Sequence, residues 1–384
     1  MAGLFFNLLY IILIFFFQIS TFFIYLEKTK RHFFFYFSNK SSNPTIIFYG
    51  CSSLTEIEIP DSTFIGNEAF SSTHLSEFNF PQNITSIDQS VLSYCTLLTQ
   101  VKLPSSITSI KDDAFHGCTA LKHVEIPSKV SSIGKHAFDN CSSISEIIIP
   151  DSVKFIDEYA FEGCTSLHKI EILSSLIAIS KYLFSKCSSL KTVLIPSSIT
   201  KIEDGAFSEC GSITNINIPS SVTAIGDKIF YKCSVLKEIL LPSIKVVGSE
   251  VFSGCKAIKK IKIPSSVIMI GSSAFSDCFS LFDISLPESL SNIEKSAFSD
   301  CKSLAEINLP SSITSIEANT FMGCSSLIKI HFPPKLTKIG ENSFNKCVAL
   351  KNILIPESVN SIEGYAFSDC SSIAEFEIPK SITE

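Results

Sequence analysis

The amino-acid sequence predicts a repeat solenoid of 23-residue coils, each with one short parallel strand plus short helical or 3₁₀ turns. Three observations predict it. Cysteine recurs at a fixed interval: from Cys95 to Cys370 every gap is 23 residues, except one of 22 between Cys233 and Cys255. Apolar residues fall at the same places inside each interval, with a period-2 step that marks a strand. A proline follows that step in nearly every interval.

The unit from Cys118 to Asn140 shows the pattern. Its apolar positions are Leu121, Val124, Ile126, Val130, Ile133, Ala137 and Phe138, and the next unit repeats them as Ile144, Ile147, Ile149, Val153, Ile156, Ala160 and Phe161. The Val124-x-Ile126 alternation reads as a strand. Pro127, Pro150 and Pro196 close it, because proline cannot continue a ladder. The serine pairs that follow suit a turn, since short oxygen side chains bond nearby backbone groups. The Ala-Phe pair reads as a short helical or 3₁₀ turn, and the cysteine completes the coil. Cys51 and Cys95 lie 44 residues apart, which is two repeats with two single deletions, and Thr73 stands where the intervening cysteine would be. One unit cannot bury its own apolar face, but stacked units can. Residues 48–384 therefore form one body of about 14 coils, roughly 65 Å long at about 4.8 Å per strand.

Composition agrees. With 45% hydrophobic and 18% charged residues, the 384-residue chain is not disordered. Its net charge is −6 and its lysines and arginines are scattered singly, so no basic tract exists to track a phosphate backbone and nucleic acid is not an expected partner. Residues 1–47 differ in kind. Positions 4–26 are apolar apart mainly from Asn7, Gln18, Ser20 and Thr21, which is long enough to span a bilayer. The run reads as a membrane anchor, a signal peptide, or translated upstream sequence. Lys28, Lys30 and Arg31 follow it, and the positive-inside rule would then leave the repeats in the cytoplasm.

The pattern C-x-x-L-x-x-I-x-I-P-x-S-V-x-x-I-G-x-x-A-F resembles the BspA-type leucine-rich repeat family, found in surface proteins of bacteria and protists. The resemblance covers residues 48–384. It implies a curved leucine-rich-repeat solenoid, a cell-surface location, and adhesion or host interaction through the concave face. Two units depart from it: Leu173 replaces a strand-ending proline and Leu92 replaces a phenylalanine.

No catalytic constellation appears. G-x-S-x-G, P-loop and dinucleotide fingerprints are absent, and no enzyme activity or cofactor is expected. The 14 cysteines offer one thiol per coil and no C-x-x-C pair, so a reduced, buried packing ladder is expected in place of a metal set. The column Phe115, Phe138, Phe161 through Phe367 reads as a packing spine. The seven histidines occupy different repeat positions and read as unrelated surface groups with no metal role.

Binding falls to the strand residues that face outward. Among them Ile148, Leu194 and Leu240 recur in alternate coils, about 10 Å apart by strand spacing. Exposed apolar side chains in a row suggest a contact site, and Lys260 and Lys262 add a small basic step beside them. These five residues are the candidate partner-binding set. The expected partners are proteins or other surface macromolecules, with membrane association through the N-terminal segment. A cytoplasmic protein–protein scaffold is the alternative, because 14 reduced thiols suit a reducing compartment. The sequons at Asn39, Asn83 and Asn140 matter only if the chain is exported.

Overall fold

The computed structural model describes residues 45–383 apart from 60, 62–63 and 173–175, together with two strands, Thr21–Leu26 and Arg31–Tyr36. The position of Leu173 lies outside the described residues, as do residues 4–20 of the apolar run. The last six residues of that run form the strand Thr21–Leu26, which pairs antiparallel with Arg31–Tyr36. Among the described residues no helix is long and apolar enough to cross a membrane.

The repeats form a parallel β-solenoid. Glu146–Ile149 pairs in parallel with Lys169–Ile172, which pairs with Thr192–Leu194. The register sets each residue beside its counterpart 23 positions on, so like packs against like through the stack. The expected strand before the proline forms in most coils, but not at Val124-x-Ile126, where the chain makes only an isolated parallel bridge between Gln100 and His123. Most coils add a second strand of two residues, as in Ser109–Ile110, Ser132–Ile133 and Phe155–Ile156. Along both columns the residues alternate between core and solvent, as a pleated strand requires.

The expected helical or 3₁₀ turn at the Ala-Phe pair is not formed; the segment is a run of turns. Asp113, Phe115 and Gly117 donate their amides to Lys135, Ala137 and Asp139 of the next coil, at 2.9, 2.8 and 2.8 Å. The residues between them bond locally: Ala114 to Lys111, His116 to Asp113 and Cys118 to Phe115. A helix would direct every amide up its own chain. Here every other amide points sideways, and the chain makes that geometry by placing one residue in the left-handed region in each turn. Asp113 (φ 55°) and Gly117 (φ 72°) do this in one coil, His136 (φ 53°) and Asn140 (φ 57°) in the next. For a non-glycine residue that conformation costs about 1–2 kcal/mol, which the inter-coil bonds offset.

Serine also does more than turn the chain. The turn after each proline is closed by backbone, as from Val153 N–H to the Pro150 carbonyl at 3.1 Å. The serine hydroxyl instead crosses to the preceding coil: Ser152 to Val130, Ser221 to Ile199 and Ser266 to Ile244, each at 2.7 Å.

Inside, two ladders run the length of the stack. The phenylalanine rings from Phe115 to Phe344 are fully buried. They stack nearly parallel, with centroids 5.1 Å apart for Phe115–Phe138 and 6.0 Å for Phe161–Phe184, the offset arrangement that ring quadrupoles favour. Leu92 interrupts the column and is itself fully buried, so an aliphatic side chain fills one such site. The cysteines are all buried except the half-buried Cys51, and those from Cys95 onward form no disulfide. From Cys95 onward each thiol aims at a carbonyl and not at its neighbour: Cys141 Sγ donates to the Phe115 oxygen of the preceding coil at 3.1 Å, where the Cys118 amide also donates. Thr73 departs from the arrangement: its hydroxyl donates to the Phe70 carbonyl of its own coil at 2.8 Å, the oxygen to which the Cys95 thiol also donates. Burial pushes the thiols up, Cys233 from 9.0 to about 12.

Replacing Phe207 by alanine is expected to destabilise the solenoid by about 3–5 kcal/mol, and Phe207→Leu by clearly less, in denaturant unfolding followed by circular dichroism. Equal losses would show that the column is not a packing spine. The thiols predict alkaline lability. Their folded pKa values lie above the unfolded ones, so their contribution is complete below the ordinary value of 9.0 and declines as pH rises toward about 12. Each buried thiol adds a slope of up to about 1.4 kcal/mol per pH unit across that window. The melting temperature should therefore fall steeply between pH 9 and 11, and replacing Cys210 and Cys233 together by alanine should flatten the fall.

Candidate functional site

The first strand of most coils carries two outward residues, and parallel register lines them up in two rows. One row runs through Ile148, Glu171 and Leu194, which are direct partners on three consecutive strands. Asn217 pairs with Leu240 further along, and Lys262 pairs with Ser285. The apolar members thus alternate with polar ones, as their positions in the sequence require. They are well exposed: Ile148 58%, Leu194 68% and Leu240 74%. The polar residues between them keep the row from collapsing into a continuous greasy strip. Further along the same row stands Leu354, the most exposed large hydrophobic side chain among the described residues at 86%. Sequence reading placed Leu354 outward without singling it out, because its neighbouring coils offer no second apolar member.

The basic step is only partly free. Lys260 and Lys262 are both exposed, but Lys260 Nζ lies 3.2 Å from Asp283 Oδ2 and 5.2 Å from the ring centre of Phe282. An exposed pair of this kind contributes little to stability, yet it neutralises half of the step. Phe282 is itself 45% exposed and extends the apolar surface beside the lysine. Nearer the N-terminal end, a shallow groove of about 500 Å³ crosses the same face between Glu77, Lys102, His123 and Glu125. A rigid, hydrogen-bonded sheet with a mixed apolar and charged surface can present contacts without first ordering itself, which lowers the entropy lost on binding.

Sequence reading treated the histidines as unrelated. The structure brings two of them together on the turn side of the coils: His116 and His136 both lie within reach of Asp139. The signal was available as arithmetic, since Asp139 is the counterpart of His116 one 23-residue coil later, and His136 sits three residues before it. Scanning the residue types column by column hides a contact made diagonally between coils.

The BspA type leucine rich repeat region matches residues 41–168, 156–282 and 268–384, in six copies. The chain belongs to the BspA-type leucine-rich repeat family. A leucine-rich repeat protein from Bacteroides ovatus superposes with a TM-score of 0.61 at 28% identity, over 88% of this chain and 93% of that one. A leucine rich cell surface protein from Faecalibacterium prausnitzii gives a TM-score of 0.54 at 28% identity, over 86% and 92%. Comparison with curated protein sequences gives no match. In this BspA-type chain the strand face is therefore the outward surface of a family-typical repeat, and the residues that vary on it from coil to coil are what distinguish it.

Proposed function

We propose that this BspA-type protein is a non-catalytic surface protein that binds macromolecular partners through its strand face, in adhesion or host interaction. The observation that carries the reading is the row Ile148, Leu194 and Leu240, three large apolar side chains held in water by a backbone that cannot move them inward. Burying each on a partner would gain about 1.5–3 kcal/mol. Lys260 and Lys262 would add electrostatic selectivity at one end of the row, as rim charges do. The cell-surface description of the Faecalibacterium prausnitzii relative supports the location. Attachment through the apolar run at 4–26 belongs to the same proposal.

One observation favours a second reading, a cytoplasmic scaffold. The thiols from Cys95 onward are unbridged and kept protonated by burial, which suits a reducing compartment. The strand face would serve the same purpose there with different partners.

Leu194→Glu combined with Leu240→Glu is expected to abolish the capture of the chain by an array of immobilised proteins. The melting temperature should stay within about 2 °C, since both side chains are exposed and surface changes are small. Undiminished capture would remove the row from the binding surface. Location is tested by adding protease to intact cells. Release of repeat fragments supports the surface protein; protection until the membrane is broken supports the scaffold.

A further inference from the structure

We propose that His116, His136 and Asp139 form a binding site for a single divalent transition-metal ion of the zinc type. The three side chains come from two consecutive coils and converge on the turn side of the solenoid, away from the strand face. Their ligand atoms all lie within 4.8 Å of one another. His116 Nδ1 and His136 Nδ1 are each 3.1 Å from Asp139 Oδ2. Ligands held about 2.0–2.1 Å from a tetrahedral zinc ion lie roughly 3.3 Å from each other, so the two histidine–carboxylate separations fit one ion, which would replace the His136–Asp139 hydrogen bond and draw the set together from within 4.8 Å.

The carboxylate is built into the fold. Asp139 is only 5% exposed, and its Oδ1 is buried without a hydrogen-bond partner. A buried, ionised oxygen left unpaired is costly, and a metal ion is one group that would satisfy it. His116 Nδ1 is likewise buried and makes no hydrogen bond, although it lies close to the carboxylate. The reason lies on the other side of the ring. His116 Nε2 is 2.9 Å from the Tyr94 hydroxyl. In the tautomer that donates Nε2–H to Tyr94, Nδ1 presents a lone pair toward a carboxylate oxygen. In that tautomer two lone pairs face each other, and a cation between them turns repulsion into coordination, in competition with the proton that Asp139 draws to His116. A second hydrogen bond on the far nitrogen is how metal-binding histidines are usually oriented. His136 is held differently, stacked on Tyr159 with ring centres 4.8 Å apart and planes 13° from parallel.

The backbone explains why the site is rigid. His136 occupies one of the left-handed turn positions, at φ 53°, and the Gly117 amide binds the Asp139 carbonyl at 2.8 Å, tying the two coils together beside the ligands. The histidine side chains are 18% and 29% exposed, so an ion can enter from solvent. Two imidazoles and one carboxylate leave the fourth tetrahedral position to water, the composition of an open site. Because the ligands bridge coils, the ion would also clip one coil to the next.

The test uses the full chain in mild detergent with a reductant, stripped of metal and titrated with zinc chloride by calorimetry, with cobalt(II) absorption as a second readout. The expected result is uptake of one equivalent of zinc and visible d–d bands from cobalt. His116→Gln, His136→Gln and Asp139→Asn should each weaken zinc binding by about tenfold or more, while the exposed His168→Gln leaves it unchanged. Circular dichroism of the metal-free variants establishes that each is folded. Absence of saturable uptake by the folded wild-type chain would overturn the proposal, and would assign the facing atoms a shared proton. Equal uptake by the folded His116→Gln and His136→Gln variants would also overturn it. So would a thiolate charge-transfer band in the cobalt spectrum, which would place the ion on the cysteine ladder.

Discussion

Hydrogen bonding between coils is the constraint on which the rest of this solenoid depends. A single 23-residue coil leaves most of its backbone donors and acceptors pointing sideways. The next coil satisfies them at a fixed offset, both in the two strand columns and through the turns, as at Phe115 and Ala137. Unpaired backbone groups in a buried position are expensive, so the offset cannot drift without breaking many bonds together. Identical residues are thereby forced into columns. The phenylalanine stack, the thiol-to-carbonyl bonds and the serine crosslinks from Ser152 to Val130 and its counterparts are all consequences of that register.

The same constraint divides the surface into faces with different chemistry. On the strand face the backbone is extended, side chains stand off the sheet, and the row containing Ile148, Leu194 and Leu240 remains in water. On the turn side two residues per coil are held in the left-handed region, and side chains lie closer to the backbone of the neighbouring coil. There a ring chain runs from Tyr94 through His116, His136 and Tyr159 to Tyr182, with neighbouring centroids between 4.8 and 6.2 Å apart. Backbone pairing on the strand face is straight across, between counterparts, although some side chains there meet diagonally, as His331 meets Glu306. Contacts on the turn side are diagonal as well, which is how His116 and His136 meet over one carboxylate.

Tolerance follows from where a residue sits in this scheme. Leu92 stands in the phenylalanine column and Thr73 in the cysteine column, and both are fully buried: leucine fills the ring's space, and threonine satisfies its hydroxyl on the Phe70 carbonyl of its own coil. Outward positions accept glutamate, lysine, asparagine or leucine in turn, because they meet only solvent and their row neighbours. The BspA-type framework thus holds its interior nearly constant while its surface is free to vary.

The period, the strand, the core columns and the outward rows were all legible in the amino-acid sequence. They depend on local alternation and on a repeat length that any residue can be measured against. Cys118, Phe138, Val124 and Leu194 could be assigned inward or outward from spacing alone. The conformation of the Ala-Phe segment could not. Its residues are compatible with helix, and only the presence of the next coil, offering carbonyls such as those of Lys135 and Ala137 to alternate amides, makes a chain of left-handed turns the lower state. Nor could the partners of individual side chains be read. Whether Lys260 stands free or against Asp283, and whether His116 faces water or Asp139, is settled by side-chain direction across a coil boundary. Periodicity fixes which residues are neighbours; the packed structure alone decides which of their atoms meet.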